Sequence, residues 1–66
     1  MTLYDFINDF NQSDYRCIVY LLDDELTVLA DDIYDASDLD SDIADYIVND
    51  VYPIHKGVLE IYVNTD

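Results

Sequence analysis

The chain reads as an α+β domain with the element order α-β-β-α-β, a three-stranded antiparallel sheet with two helices packed on one face. Three observations lead there. Apolar residues near the N-terminus recur at helical spacing, and the segments YRCIVYLL and VLEIYV are dense in β-branched and aromatic residues. Between those two segments, an aspartate-rich stretch carries a second helical spacing.

Thr2 is placed to cap a first helix over residues 2–11, with Asp5 three positions on and Leu3, Phe6, Ile7 and Phe10 as its apolar stripe. Asn11-Gln12-Ser13-Asp14 reads as a turn. Residues 15–22 then place apolar side chains on both faces, as a central strand does. Asp23-Asp24-Glu25 interrupts the run before LTVLA, so residues 15–22 and 26–30 pair as an antiparallel hairpin. From residue 37 to residue 52, Leu39, Ile43, Tyr46, Ile47 and Val51 share one side of a second helix, which Pro53 ends. Ile54-His55-Lys56-Gly57 turns the chain into a last strand. There Leu59, Ile61 and Val63 lie on one face and Val58, Glu60 and Tyr62 on the other.

With 66 residues the chain makes a single acidic domain, residues 1–66, and folding at this size buries only about 60% of the unfolded surface. Hydrophobic residues are 52% of the sequence, seven of them tyrosine, so a core is available and the chain is not a disordered acidic tail. Sixteen acidic residues face two basic ones, Arg16 and Lys56, for a net charge of -14, beyond the roughly 2 to 8 that solubility requires. Such a surface repels nucleic acid and anionic lipid and attracts cationic protein. The lone Cys17 offers no internal disulfide and no zinc or redox pair. The N-terminus lacks a signal-peptide pattern and no run is long and apolar enough for a membrane span. A soluble protein of a reducing cytoplasm is expected.

Catalytic and metal readings fail on spacing. DLDSD, residues 38–42, sets aspartates at positions 1, 3 and 5 of a calcium loop, but position 6 is Ile43 in place of glycine and position 12 is Asn49 in place of glutamate. His55 has no evident nucleophile to serve, and Cys17 lies in an apolar strand. The expectation is a protein that is not an enzyme, with no cofactor and no metal.

The remaining feature is DDIYDASDLDSDIADYIVND, residues 31–50, with eight aspartates and no lysine, arginine or glutamate. A solvated helix face is the plain explanation for a charge run, yet this one is costly. In the expected helices Asp38/Asp42 and Asp5/Asp9 are like-charge i, i+4 pairs, and Asp9, Asp45 and Asp50 approach C-terminal ends, where the macrodipole disfavours anions. Fourteen Asp against two Glu gives up helix propensity and holds charge close to the backbone. A helix over residues 38–50 would set five carboxylates along about 18 Å, or one per ~4 Å, near the 3.4 Å phosphate spacing of a DNA strand.

That comparison makes Asp38, Asp42 and Asp45 candidate partner-binding residues, extended by Asp31, Asp32 and Asp35 before the helix and by Asp23, Asp24 and Glu25 at the hairpin tip. The partner expected is a basic nucleic-acid-binding protein. Tyr20 and Tyr62 are expected on the sheet face away from the helices, beside Arg16, Ile18 and Val58, where they complete a homodimer or a thin second core, or anchor a partner.

In size, aspartate-rich surface and the segments YLLDDE and DDIYDASDLDSDIADYIVND, the chain resembles the small acidic inhibitors encoded by phages and mobile elements. These are anti-CRISPR proteins, anti-restriction proteins and uracil-DNA glycosylase inhibitors. The resemblance implies DNA mimicry that occupies the DNA site of a nuclease or repair enzyme in an infected bacterial host. An anti-CRISPR is the first choice, because Cas effectors read the PAM through arginines. The glycosylase or restriction-enzyme inhibitor is the alternative, and a high-salt-adapted or plain interaction domain is the alternative of another class.

Overall fold

The computed structural model describes residues 1–11 and 15–64, and the side chains of residues 11 and 24–26 lie outside the described set. Helix α1 (Leu3–Phe6) begins at Thr2, whose Oγ1 accepts from the Asp5 amide at 3.1 Å, and runs on into a π-helical turn, Ile7–Asn11. The helix expected over residues 2–11 is thus present in extent, its second half wound more loosely. Leu3 and Ile7 are fully buried, whereas Phe10 is exposed and stacks on Phe6 with ring centroids 5.2 Å apart. Beyond Asn11, the expected turn through Asp14 lies outside the described residues.

Strands β1 (Arg16–Leu21) and β2 (Asp24–Ile33) form the expected antiparallel hairpin, with Leu21 opposite Asp24 across the turn. Strand β2 runs three residues past its expected end, and register shifts interrupt its pairing between Cys17 and Leu21. A 3-10 turn (Ala36–Asp38) and the four-residue helix α2 (Ser41–Ala44) follow, then strands β3 (Ile47–His55) and β4 (Val58–Asn64). Gly57, at φ 81°, supplies the left-handed residue between β3 and β4.

The sheet order is β2-β1-β4-β3; β1 and β4 are parallel, and the two outer pairings are antiparallel. The expected three-stranded antiparallel sheet is therefore corrected to a mixed sheet of four strands, and the helix expected over residues 37–52 is not formed. Its second half is β3. Residues 47–52, IVNDVY, are mostly β-branched or aromatic and pack better on a pleated surface than on a helix. In its first half, aspartate carboxylates capture backbone amides in turns, the competition that makes this residue a weak helix former. Pro53 did not end a helix; it lies in an edge strand opposite Leu59, where a missing N–H is tolerated.

One core forms on one side of the sheet. Cys17 and Val19 of β1, Ile33 of β2, and Leu59, Ile61 and Val63 of β4 meet Leu3 and Ile7 from the N-terminal helix and Ala36 and Ile43 from the segment after β2. The N-terminal helix and the short α2 thus both contribute to this core, although α2 is not the helix expected over residues 37–52. The N-terminus is tied to the start of β3, because the Leu3 amide donates to the Tyr46 carbonyl at 2.7 Å and the Val48 amide to that of Met1 at 3.0 Å.

Candidate functional site

Strands β2 and β3 run in the same direction at opposite edges of the sheet. Residues 34–46 must therefore cross two strands and also travel back along the sheet. Their apolar side chains point inward: Ala36 and Ile43 are buried, and Leu39 and Tyr46 pack against the core. Asp35, Asp38, Asp40, Asp42 and Asp45 are left exposed on the outer layer.

The path of this crossover sets the charge spacing. Ile33 lies level with Cys17, and Ile47 lies opposite Asn64, one residue past the Leu21–Val63 pair. Five residue rises make ~16 Å along the strands and three strand spacings make ~14 Å across them, a diagonal of about 21 Å. Between those two ends Asp35, Asp38, Asp40, Asp42 and Asp45 occur in order, five carboxylates over about 21 Å, or about 4 Å each, against 3.4 Å per phosphate on a DNA strand.

The aspartates of the crossover have different local duties. Asp38 Oδ2 accepts from the amides of Tyr34 at 3.1 Å and Asp35 at 3.2 Å, and Asp35 Oδ1 accepts from the Ser37 amide at 3.1 Å, a reciprocal capping box. Asp40 occupies the N-cap position of α2 without a side-chain capping bond. Asp42 lies in the first turn of α2 and Asp45 at its C-cap. Asp38 and Asp35 thus shape the chain, while Asp42 and Asp45 present charge.

The other expected residues scatter. Asp31 and Asp32 are exposed within β2, not ahead of a helix, and charge on an edge strand also blunts edge-to-edge pairing. Asp23 is exposed in the hairpin turn, and the side chains of Asp24 and Glu25 lie outside the described residues. Asp50 leaves the acidic layer altogether: it sits in β3 opposite Tyr62 and accepts from Asn49 Nδ2 at 3.0 Å. The five-carboxylate helix over residues 38–50 is accordingly replaced by the diagonal crossover.

Tyr20 and Tyr62 lie on the sheet face away from the helices, as expected, and pair across β1 and β4 with ring centroids 5.2 Å apart at 18°. Tyr52 joins them edge-on to Tyr62, at 5.6 Å and 78°. Glu60 Oε1 accepts from the Tyr62 hydroxyl at 3.4 Å. Partial burial and then the charge and hydrogen bond of Glu60 push the Tyr20 phenol above its usual pKa. Sequence reasoning missed Tyr52 because it took that residue for the end of a helix. The alternation of Asp50, Tyr52 and Ile54 with Val51 and Pro53 was the available signal.

Burial pushes the Cys17 thiol up to about 11, as befits a core residue. Among the described residues, no three His, Cys, Asp or Glu side chains converge as metal ligands do, and no helix is long and apolar enough to cross a membrane. The comparisons with known proteins give no match: no protein-family model, no curated protein and no solved structure is significantly similar to this chain.

Proposed function

We propose that this protein is a DNA-mimicking inhibitor that occupies the basic nucleic-acid-binding site of a bacterial defence nuclease, as an anti-CRISPR protein that blocks DNA or PAM binding by a Cas effector. The observation that carries the reading is the diagonal crossover, which exposes Asp35, Asp38, Asp40, Asp42 and Asp45 on one layer while its apolar residues face the core. Arginines arranged to meet phosphates along a strand would meet carboxylates at a comparable interval there.

Charge placement supports the same reading. The two basic side chains, Arg16 and Lys56, lie together at one end of the sheet, where the Arg16 amide donates to the Gly57 carbonyl at 2.8 Å. Asp40, Asp42 and Asp45 come later in the crossover, which runs toward the opposite end of the sheet, and no basic residue lies among them. Action by occupancy needs no catalytic group, metal or cofactor, and its setting is the cytoplasm of a host that carries the defence system.

The test is competition. Cas9 and a multi-subunit Cas surveillance complex, with a uracil-DNA glycosylase and a restriction endonuclease in parallel, are incubated with labelled DNA and this protein at low and high salt. Displacement of DNA from one of them at low salt, weakened at high salt and abolished by Asp42→Lys with Asp45→Lys, supports the proposal and names the target. DNA retention by all four overturns the mimic reading and leaves the acidity as an adaptation of the surface.

A further inference from the structure

The tyrosine face lies on the opposite side of the sheet from the acidic crossover, and nothing in the mimic reading uses it. Tyr52 lies opposite Glu60 across β3 and β4, Tyr20 and Tyr62 stack on the same face, and the Glu60 carboxylate takes a hydrogen bond from the Tyr62 hydroxyl. Tyr52 is 51% exposed, and Glu60 itself is partly open. Ring faces carry negative quadrupole potential, so three rings beside a carboxylate make a spot doubly receptive to a cation.

The charge of the chain narrows the occupant. A second copy would bring another -14 against the same face, with self-repulsion opposing closure. A cationic segment meets attraction from the whole molecule and from Glu60 in particular. The Tyr62 hydroxyl takes up one of about four lone-pair sites that an ionised carboxylate offers. A planar donor fork that also stacks on a ring fits those sites better than a compact ammonium does.

We propose that this face binds the guanidinium of an arginine side chain presented by a cationic protein segment, with the N–H fork donated to Glu60 and the plane laid against Tyr52 or Tyr62. The inference is independent of DNA mimicry, since the crossover takes no part in it. An arginine of a nuclease target would seat here as well as one of an unrelated basic protein.

The test is an amide-resolved NMR titration at ionic strength near 0.15 M, where the Debye length is about 8 Å and distant charges are screened. The probes are blocked Gly-Arg-Gly, Gly-Lys-Gly and Gly-citrulline-Gly. Shifts at Ile18, Tyr20, Tyr52, Glu60 and Tyr62, with arginine binding tighter than lysine and citrulline not binding, are expected. Glu60→Gln, which keeps the shape of the site, should weaken the arginine peptide about tenfold, the loss of one charged hydrogen bond. Tyr52→Leu should weaken it several-fold, as loss of a cation–π contact does, while Asp42→Asn, which removes the same charge elsewhere, leaves it unchanged. Shifts confined to residues 35–45, equal binding of citrulline, or indifference to Glu60→Gln overturns the proposal. So does a sedimentation velocity run in which the wild-type chain is a dimer closed through this face.

Discussion

Asp38 and Asp42 have the same charge and lie four residues apart, yet their removal should move stability in opposite directions. Asp38 holds the Tyr34 and Asp35 amides, and loss of such a cap costs typically about 1 kcal/mol, up to about 2. Against this stands relief of repulsion from neighbouring carboxylates, ~0.5 kcal/mol per charge at 8 Å in water before screening. For a typical cap and one neighbouring charge, Asp38→Ala should therefore lose about 0.5 kcal/mol net, a fall in melting temperature of about 2–4 °C for a domain of this size. Asp42 makes no hydrogen bond that shapes the crossover, so Asp42→Ala gains the same relief together with alanine's better helix propensity. It should raise the melting temperature by a few degrees.

Salt separates the two contributions. Thermal unfolding followed by circular dichroism at low and high sodium chloride should show the Asp42→Ala gain shrinking with salt, because screening removes the repulsion that the substitution relieves. The Asp38→Ala loss should grow with salt, because its compensation disappears and the local hydrogen bonds do not. Equal shifts of the same sign for both variants would refute the claim that the capping box shapes the crossover.

Ile61, fully buried between β1 and β3, should lose about 2–5 kcal/mol as Ile61→Ala and about 1 as Ile61→Val in urea unfolding. The larger loss approaches the whole stability of a domain this small. Gly57→Ala places a side chain at φ 81° with nothing near its Cβ, so its cost is the backbone alone, about 1–2 kcal/mol by the same titration. The Cys17 thiol, at about 11 when folded against 9.0 when free, binds its proton more tightly in the fold. Its contribution is complete below pH 9.0 and lost as pH rises toward 11, and Cys17→Ala should remove that part of the alkaline decline in melting temperature. At pH 8, labelling of Cys17 by a thiol reagent should follow the unfolding equilibrium and not the intrinsic thiol rate.

What was legible in the sequence was what one short segment decides. The Thr2 cap and the strand of alternating Leu59, Ile61 and Val63 rest on local chemistry and are present, and of the expected turn at residues 54–57 only Lys56 and Gly57 lie outside the strands. Residues 37–52 were misread because spacing of three and four also arises when an irregular crossover anchors itself to a core. Ala36, Leu39, Ile43 and Tyr46 return to the core at such intervals with only a 3-10 turn and one four-residue helix along the way. The parallel pairing of β1 with β4 left no mark in either strand, because it depends on where β3 enters the sheet. The aspartates were measured along a helix that is not formed, and Asp50 lies in β3 opposite Tyr62.

The misread segment also bears on why so much aspartate is tolerated. In one helix, carboxylates at i, i+3 and i+4 lie about 5–6 Å apart on a shared surface, and each like-charge pair costs a few tenths of a kcal/mol. The crossover keeps a similar charge density along its path, but two of its carboxylates, Asp35 and Asp38, are offset in part by the backbone amides they accept from. Aspartate suits this arrangement where glutamate does not, since its short side chain reaches amides two to four residues away and closes the turns that replace the helix. The same substitution pattern, Asp for Glu, therefore serves the fold at positions 35 and 38 and the presentation of charge at positions 42 and 45. Replacing the latter pair by glutamate should leave the melting temperature nearly unchanged, while Asp35→Glu and Asp38→Glu lower it.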